Sequence, residues 1–502
     1  MLAPSSLSPS KRLSELAVAL GALVSLAMVR PAQAAPSSAS EALSVPTPRA
    51  MTLADALAYA RAHQPAIVAA LSRVSGAREA AEVPRSQWLP RVGVTAQIFA
   101  ATENNSTAST VVTMPEVDIP RIGSGRTVSG ASARWNPYGS TLVAAGGTQE
   151  IFDFGRIAAE SAAADAKVEI ATQSAIARQI DIEYGVQEAY FAVYAAKGVL
   201  ATAEGAYQRA REHRDLAQAG VGSGLRSPIE LTRATADLAR YDLGRLRARG
   251  NVQVAQSVLA ASIGVADIGI DTTGDLPQVT ELPTLQQALD DASRRSPWLL
   301  EALARVKQQE RETTAIRAEM RPNLQVTGTI SGRSGGGPPT SGDQGPASGW
   351  APGIPNWDVG LLLSWPLFDG TINARANASA RLEAAQRADL EVARLTVTAA
   401  VDKAYVQLTV ARDTLPGLQR ALDGATSNYA QANARFGGGL GNAVELADAE
   451  ALRTDAEVQL ALGVFEIARA RAALGRALAG GIAPTAMPTV EYTPSMRGFT
   501  HE

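Results

Sequence analysis

Glu445 and Asp448 stand three apart, just beyond a run of three glycines at 437–439. On a helix that spacing puts both carboxylates on one face. Acids in a first helical turn are favoured by the helix dipole, and Asn442 with Glu445 has the cap-x-x-acid spacing of a capping box. The box accounts for the glutamate but not for the aspartate one turn on. In a symmetric oligomer the same pair would form two stacked acidic rings, which is how cation-attracting constrictions are built. An earlier turn repeats the pattern. Gly220, Gly222 and Gly224 lead to Leu225, Arg226, Ser227, Pro228 and Glu230. There Ser227 and Glu230 have the box spacing and Pro228 takes the favoured first helical position, so a cap suffices for Glu230.

Other reactive chemistry is thin. His63, His213 and His501 are isolated and lack metal-ligand spacing. The glycine-rich turns have no Lys-Ser/Thr pair to cradle a phosphate. No nucleophile elbow or pair of catalytic acids stands out, and there is no cysteine for a disulfide, a thiolate or a lipid anchor. A net charge of -3, with Lys and Arg scattered, gives no reason to expect a nucleic-acid partner. The expectation is a protein without catalytic, cofactor or metal residues.

The turns are positioned by long helices. Ile182, Val186, Ala189, Val193, Ala196, Leu200, Ala203, Tyr207 and Ala210 follow a spacing of four and three. Moved by 215 positions, the frame gives Val397, Val401, Ala404, Leu408, Ala411, Leu415, Leu418, Leu422 and Ala425. A sustained seam given twice predicts two copies of one coiled-coil unit. From Ile157 to Ala219 there is no proline, and such a helix would reach about 90 Å. In the second copy Pro416 should kink or interrupt the rod.

Ahead of each seam the same order recurs at an offset of 232: Thr52 and Thr284 open short capped helices, and Pro65 and Pro297 restart them. Pro84 breaks the first, and Pro90 and Pro322 precede strands. Val92, Val94, Ala96 and Ile98 alternate with Gly93, Thr95, Gln97 and Phe99, and Leu324 to Ile330 alternate likewise. The clearest strand carries Trp357, Val359, Leu361, Leu363, Trp365 and Leu367 on one face. Trp357 and Trp365 lie about 26 Å apart at strand pitch, close to the roughly 25 Å between the aromatic girdles of an outer-membrane barrel. Four strands cannot close such a barrel, so several chains must share one.

The divisions expected are a signal peptide at 1–34 and a flexible lead at 35–50. A first repeat at 51–282 has strands at about 91–102 and 128–152 and a helical hairpin at about 155–263. A second at 283–481 has strands at about 323–331 and 356–368 and a hairpin at about 371–479, before a tail at 482–502. The signal reading follows from Lys11 and Arg12, the apolar run from Leu16 to Val29, and Ala32-Gln33-Ala34. Its removal takes three positive charges and one negative, leaving -5.

In this order of elements the chain resembles the TolC-like outer-membrane efflux and secretion channels over about residues 51–481. The likeness rests on the duplicated plan, on Phe152-Asp153 and Phe368-Asp369 entering the long helices, and on a Gly-Leu turn followed by Glu-Leu. The resemblance implies a mainly α fold with a membrane β-barrel, in which three chains build an α-barrel joined to a shared 12-stranded β-barrel. It implies passive export of small molecules or polypeptides, with a periplasmic adaptor and an inner-membrane pump as partners. Gly224, Leu225, Ser227, Gly439 and Leu440 would then be adaptor-facing tips. Glu445, Asp448, Glu230 and Arg226 would lie at the periplasmic gate, and Trp357 and Trp365 in the membrane belt. Relatives can carry a basic residue and a tyrosine that latch the turns shut. Gly441 and Phe436 stand there in this chain, so closure would rest on packing or on Arg226. Two rivals remain at this stage, a periplasmic coiled-coil adaptor and a secreted enzyme with a coiled-coil stalk.

Overall fold

The computed structural model describes residues 50–102, 137–265, 270–273, 284–335 and 354–479. The expected signal peptide, nearly all of the lead, the loops after the first and third long strands and the tail at 482–502 lie outside the described residues.

Short capped helices open each repeat: α1 (Leu53–His63) with α2 (Pro65–Arg85), and α5 (Leu285–Arg295) with α6 (Pro297–Ala318). Both capping boxes form. Thr52 accepts from the Asp55 amide and Thr284 from the Gln287 amide, with each acid or amide side chain reaching back. Pro84 does not stop α2, which ends one residue later at Arg85.

Four long strands make one antiparallel sheet: β2 (Arg91–Thr102), β3 (Pro137–Phe152), β5 (Asn323–Gly335) and β6 (Ile354–Ser364), in the order β2-β3-β5-β6. A separate parallel pair joins β1 (Ala50–Met51) to β4 (Asp271–Thr272). The large sheet's register brings Val94 opposite Ala145, Ala145 opposite Ile330, and Ile330 opposite Trp357. Opposite residues share a face, so every strand contributes to one apolar surface on which Val92, Val94, Ile98, Trp357, Val359, Leu361 and Leu363 are exposed. The other face carries Thr95, Thr148, Gln325, Thr327, Thr329 and Asp358. A bulge between Glu150 and Phe152 shifts the register by one, turning Phe152 onto the apolar face opposite Leu324.

Trp365 departs from the expectation. The final strand stops at Ser364, because Pro366 follows and the residue before a proline leaves regular pairing. Trp365, Leu367 and Phe368 are exposed in the link beyond it.

The long helices are α3 (Arg156–Gly222), α4 (Pro228–Ile263), α7 (Gly370–Gly437) and α8 (Ala443–Ala477). At 67 and 68 residues, α3 and α7 are each about 100 Å long. Pro416 sits inside α7 without interrupting it. The rod is held at that point by α8, which comes so close that a Cβ on Gly463 would collide with Leu418.

Packing runs in two tiers. Beside the sheet α3 packs on α2 and α6, and α6 on α7. Toward the tips α3 packs on α4 and α8, and α8 on α7. The tiers meet where Val186, Ala189, Tyr190 and Val193 of α3 bury against Leu259 and Ile263 of α4 and Met51 of β1. The upper lateral order, α2-α3-α6-α7, is that of the strands to which those helices connect, so each repeat runs as one wall from sheet to tip.

Candidate functional site

Each hairpin ends in the same backbone turn. The Leu225 and Arg226 amides both donate to the Gly220 carbonyl, and the Leu440 and Gly441 amides both donate to the Arg435 carbonyl. Gly224 and Gly439 take the positive φ that reverses the chain, 71° and 74°. Leu225 and Leu440 project from the two ends, 84% and 81% exposed.

The duplicates differ in where the arginine stands. The first turn has glycine at 220 and arginine at 226; the second has arginine at 435 and glycine at 441. A Cβ on Gly220 would strike the Arg226 side chain at 2.6 Å, and one on Gly441 would press on the Cβ of Arg435 at 3.1 Å. Each turn therefore has room for a single arginine.

The two arginines act differently. Arg435 reaches Glu445 of its own hairpin at 3.5 Å, both groups being exposed. Arg226 crosses between hairpins: Nη1 meets Glu230 at 3.2 Å, Nη2 donates to the Phe436 carbonyl at 3.0 Å, and the guanidinium lies 3.7 Å from the centre of the Phe436 ring. It thus joins the first turn to the last carbonyls of α7, where a cation is also favoured by the helix dipole.

The expected caps form unevenly. Asn442 accepts from the Glu445 amide at 2.8 Å. Ser227, also at an N-cap, makes no side-chain bond there; the Glu230 amide donates instead to the Ser227 backbone carbonyl at 3.0 Å, while the Glu230 carboxylate is engaged by Arg226. Asp448 is exposed and has no ion pair among the described residues.

Above the turns lies a polar layer that the sequence reading missed. Arg209 of α3 donates from Nε to both oxygens of Glu450 on α8, at 2.8 and 2.9 Å. Its Nη2 approaches Glu450 to 2.8 Å without the alignment of a hydrogen bond, so that contact is Coulombic. Glu450 also accepts from Thr454 at 3.1 Å, and Glu457 stands 3.5 Å from Arg209 and 2.9 Å from Arg453. His213 Nε2 and the Tyr429 hydroxyl are 3.0 Å apart, with the Arg453 guanidinium 5.0 Å from the centre of the tyrosine ring. Burial pushes the Glu450 carboxyl above its ordinary value against the pull of Arg209. Burial also holds His213 below the usual histidine range. One signal was present in the sequence: Glu450, Arg453 and Glu457 continue the four-three spacing of the buried Leu446. Between this layer and the turns is a cavity of about 40 Å³ lined by His213, Ala217, Glu230, Phe436 and Leu446.

Among the described residues no cluster of His, Asp and Glu is arranged to hold a metal ion. None of their helices is long and apolar enough to cross a membrane.

A sheet with one apolar and one polar face, continued by rods about 100 Å long, defines the class of an outer-membrane channel wall. Residues 56–265 and 288–480 match the family described as outer membrane efflux protein, and the chain belongs to that family. That membership places the chain among outer-membrane efflux proteins rather than among enzymes. Protein CyaE of Bordetella pertussis is 30% identical over 304 residues, 60% of this chain and 62% of that relative's length. The outer-membrane channel OprN shares the fold at a TM-score of 0.68 with 20% identity, covering 86% of this chain and 90% of that one. VceC of Vibrio cholerae gives 0.67 with 18% identity over 86% and 97%. MtrE of Neisseria gonorrhoeae gives 0.64 with 20% identity over 86% and 89%.

Proposed function

We propose that this chain is one third of a passive exit duct, in which three copies share a 12-stranded barrel and a helical tunnel. The observation that carries this is a wall left unfinished on both flanks. β2 and β6 are the two edges of the sheet, each with unpaired backbone groups. In the lower tier α4 and α7 are the outer helices, and each carries an exposed apolar stripe. On α4 it is Ile229, Leu243, Leu246, Val254 and Val258; on α7 it is Val406 and Val410, continued into the upper tier beside α6 by Val392 and Leu395. Joining β2 to β6 and α4 to α7 of successive copies would complete both walls at once.

In that assembly Glu445 and Asp448 would repeat around the axis as acidic rings, and Arg226 would hold each protomer's turns together in the closed state. The adaptor-facing tips would be Gly224, Leu225, Ser227, Gly439 and Leu440, where exposed leucines offer an apolar contact for a periplasmic adaptor. An inner-membrane pump would supply the energy. The cargo is either a small molecule, such as a drug, toxic compound or metal ion, or a secreted polypeptide. The repeat boundaries at 51–282 and 283–481, the signal at 1–34 and a belt containing Trp357 and Trp365 belong to the same reading.

The test is detergent-solubilised protein in planar bilayers. It should be a trimer by mass that conducts ions, with R226A raising the closed-state conductance and E445A/D448A weakening block by multivalent cations. A monomer soluble without detergent would end the channel reading.

A further inference from the structure

The buried pair Arg209–Glu450 has no part in lining a duct. Its carboxylate is 2% exposed, and the residues flanking the pair along the two facing helices are small and buried: Ala206 and Ala210 on α3 and Ala449 on α8, with Tyr429 of α7 alongside. Alanine seams let helices approach closely, but their shallow knobs resist sliding weakly. Such a seam leaves the axial register of one hairpin on the other poorly specified. A buried polar contact corrects this, because displacement leaves a charge unpaired in a dry interior. One helical turn of slip is about 5.4 Å, enough to break the 2.8 Å contact between Arg209 and Glu450.

The consequence reaches the turns. Arg226 reaches Phe436 through a single 3.0 Å hydrogen bond and one ring contact, so it depends on the hairpins being in step. Glu450 lies only about two turns along α8 from its cap Asn442, while Arg209 lies on the same rigid rod that ends in the Arg226 turn.

We propose that Arg209 and Glu450 are positioning residues: they set the axial register of the first hairpin on the second and so hold Arg226 against Phe436. This deepens the reading of the turns as a gate and rests on it only for the effect on conductance. Thr454, Arg453 and Glu457 brace the pair from α8, and His213 with Tyr429 closes the layer toward α7.

The absence of cysteine permits a direct test with spin labels at L225C and L440C, one on each exposed tip, read as a distance distribution within the assembled protein. R209M/E450M is the informative variant, since well-packed apolar replacement of a buried ion pair is commonly neutral or stabilising. The proposal expects unchanged assembly and thermal stability, a broadened tip-to-tip distribution, and a closed-state conductance raised about tenfold, within the range of ordinary coupling energies. E450Q, nearly isosteric, should broaden the distribution in the same way if the double variant fails to assemble. A distribution as narrow as that of the parent in whichever variant assembles overturns the proposal, whatever R226A does to conductance. A broadened distribution accompanied by no conductance change in R226A upholds the register role and removes the gate.

Discussion

His213 is partly buried and opposite Tyr429, and every neighbouring helix brings a charged or titratable group near its ring. Arg209 and Glu212 belong to α3, Asp237 and Tyr241 to α4, Tyr429 to α7, and Glu450 and Arg453 to α8. Burial lowers its folded-state pKa below 6.5, so the folded protein binds fewer protons than the unfolded chain in the window between the two values. Its stabilising contribution is complete above about 6.5 and is lost as pH falls toward the folded value. Glu450 has the opposite sign. Its carboxyl is raised above 4.5, so the folded state gains stability as pH falls through that raised value toward 4.5. Thermal melting from pH 7.5 to 5.5 should therefore show a smaller acid loss in H213Q than in the parent. An identical loss would mean that the ring does not titrate in this window.

Two aspartates that look alike in sequence do different work. Asp153 is buried, accepts from the Gly155 amide at 3.0 Å and from the Ile157 amide, and stabilises a turn in which Phe154 has φ 54°. Arg321 ties that turn to the second repeat through the Phe154 carbonyl at 2.7 Å. Asp369 caps α7 directly from the N-cap position and is half-buried. The D153A substitution should cost about 1 kcal/mol, in the ordinary range for a lost cap. Circular dichroism melts of the folded assembly would measure it.

At the scale of elements the alternation of the strands carries most of the meaning. It specifies which residues share a face, but only the register shows that the four faces align into one apolar surface. Leu361→Lys should destabilise the protein by about 2–4 kcal/mol if that residue reaches the middle of the bilayer. Thr327→Lys, opposite Gly360 on the polar face, should be tolerated. Comparable urea midpoints for the two after refolding into lipid would argue against a membrane-facing surface. The helices show where local signals fail. Pro416 costs α7 one backbone hydrogen bond, yet the chain stays helical because α8 packs closely beside it at Gly463. Pro366, with no such neighbour in the link, marks the end of a strand instead.

Among the described residues the sheet and its helices form a wall with two unfinished flanks, and in the proposed assembly neighbouring copies cover them. The exposed apolar residues of α4 run from Ile229 near the tip through Leu243 and Leu246 to Val254 and Val258. Placing lysine at both Leu243 and Leu246 should convert trimers into smaller species by mass in detergent while leaving the helical circular-dichroism signal intact. Trimers that survive the change would show that α4 faces solvent or lumen rather than a second copy.

Much of this architecture was legible in residue order. The two offset copies, the capping boxes at Thr52 and Thr284, the period-two strands and the paired glycine turns all arise from contacts within a few positions, and such contacts leave periodic traces. The sequence alone therefore determined the kinds of element, their order and the positions of the turns. The meeting of Arg226 with Phe436, of Arg209 with Glu450 and of His213 with Tyr429 was decided only in three dimensions. Those partners lie more than 200 positions apart, and no local period records which rung of one rod comes to rest beside which rung of another.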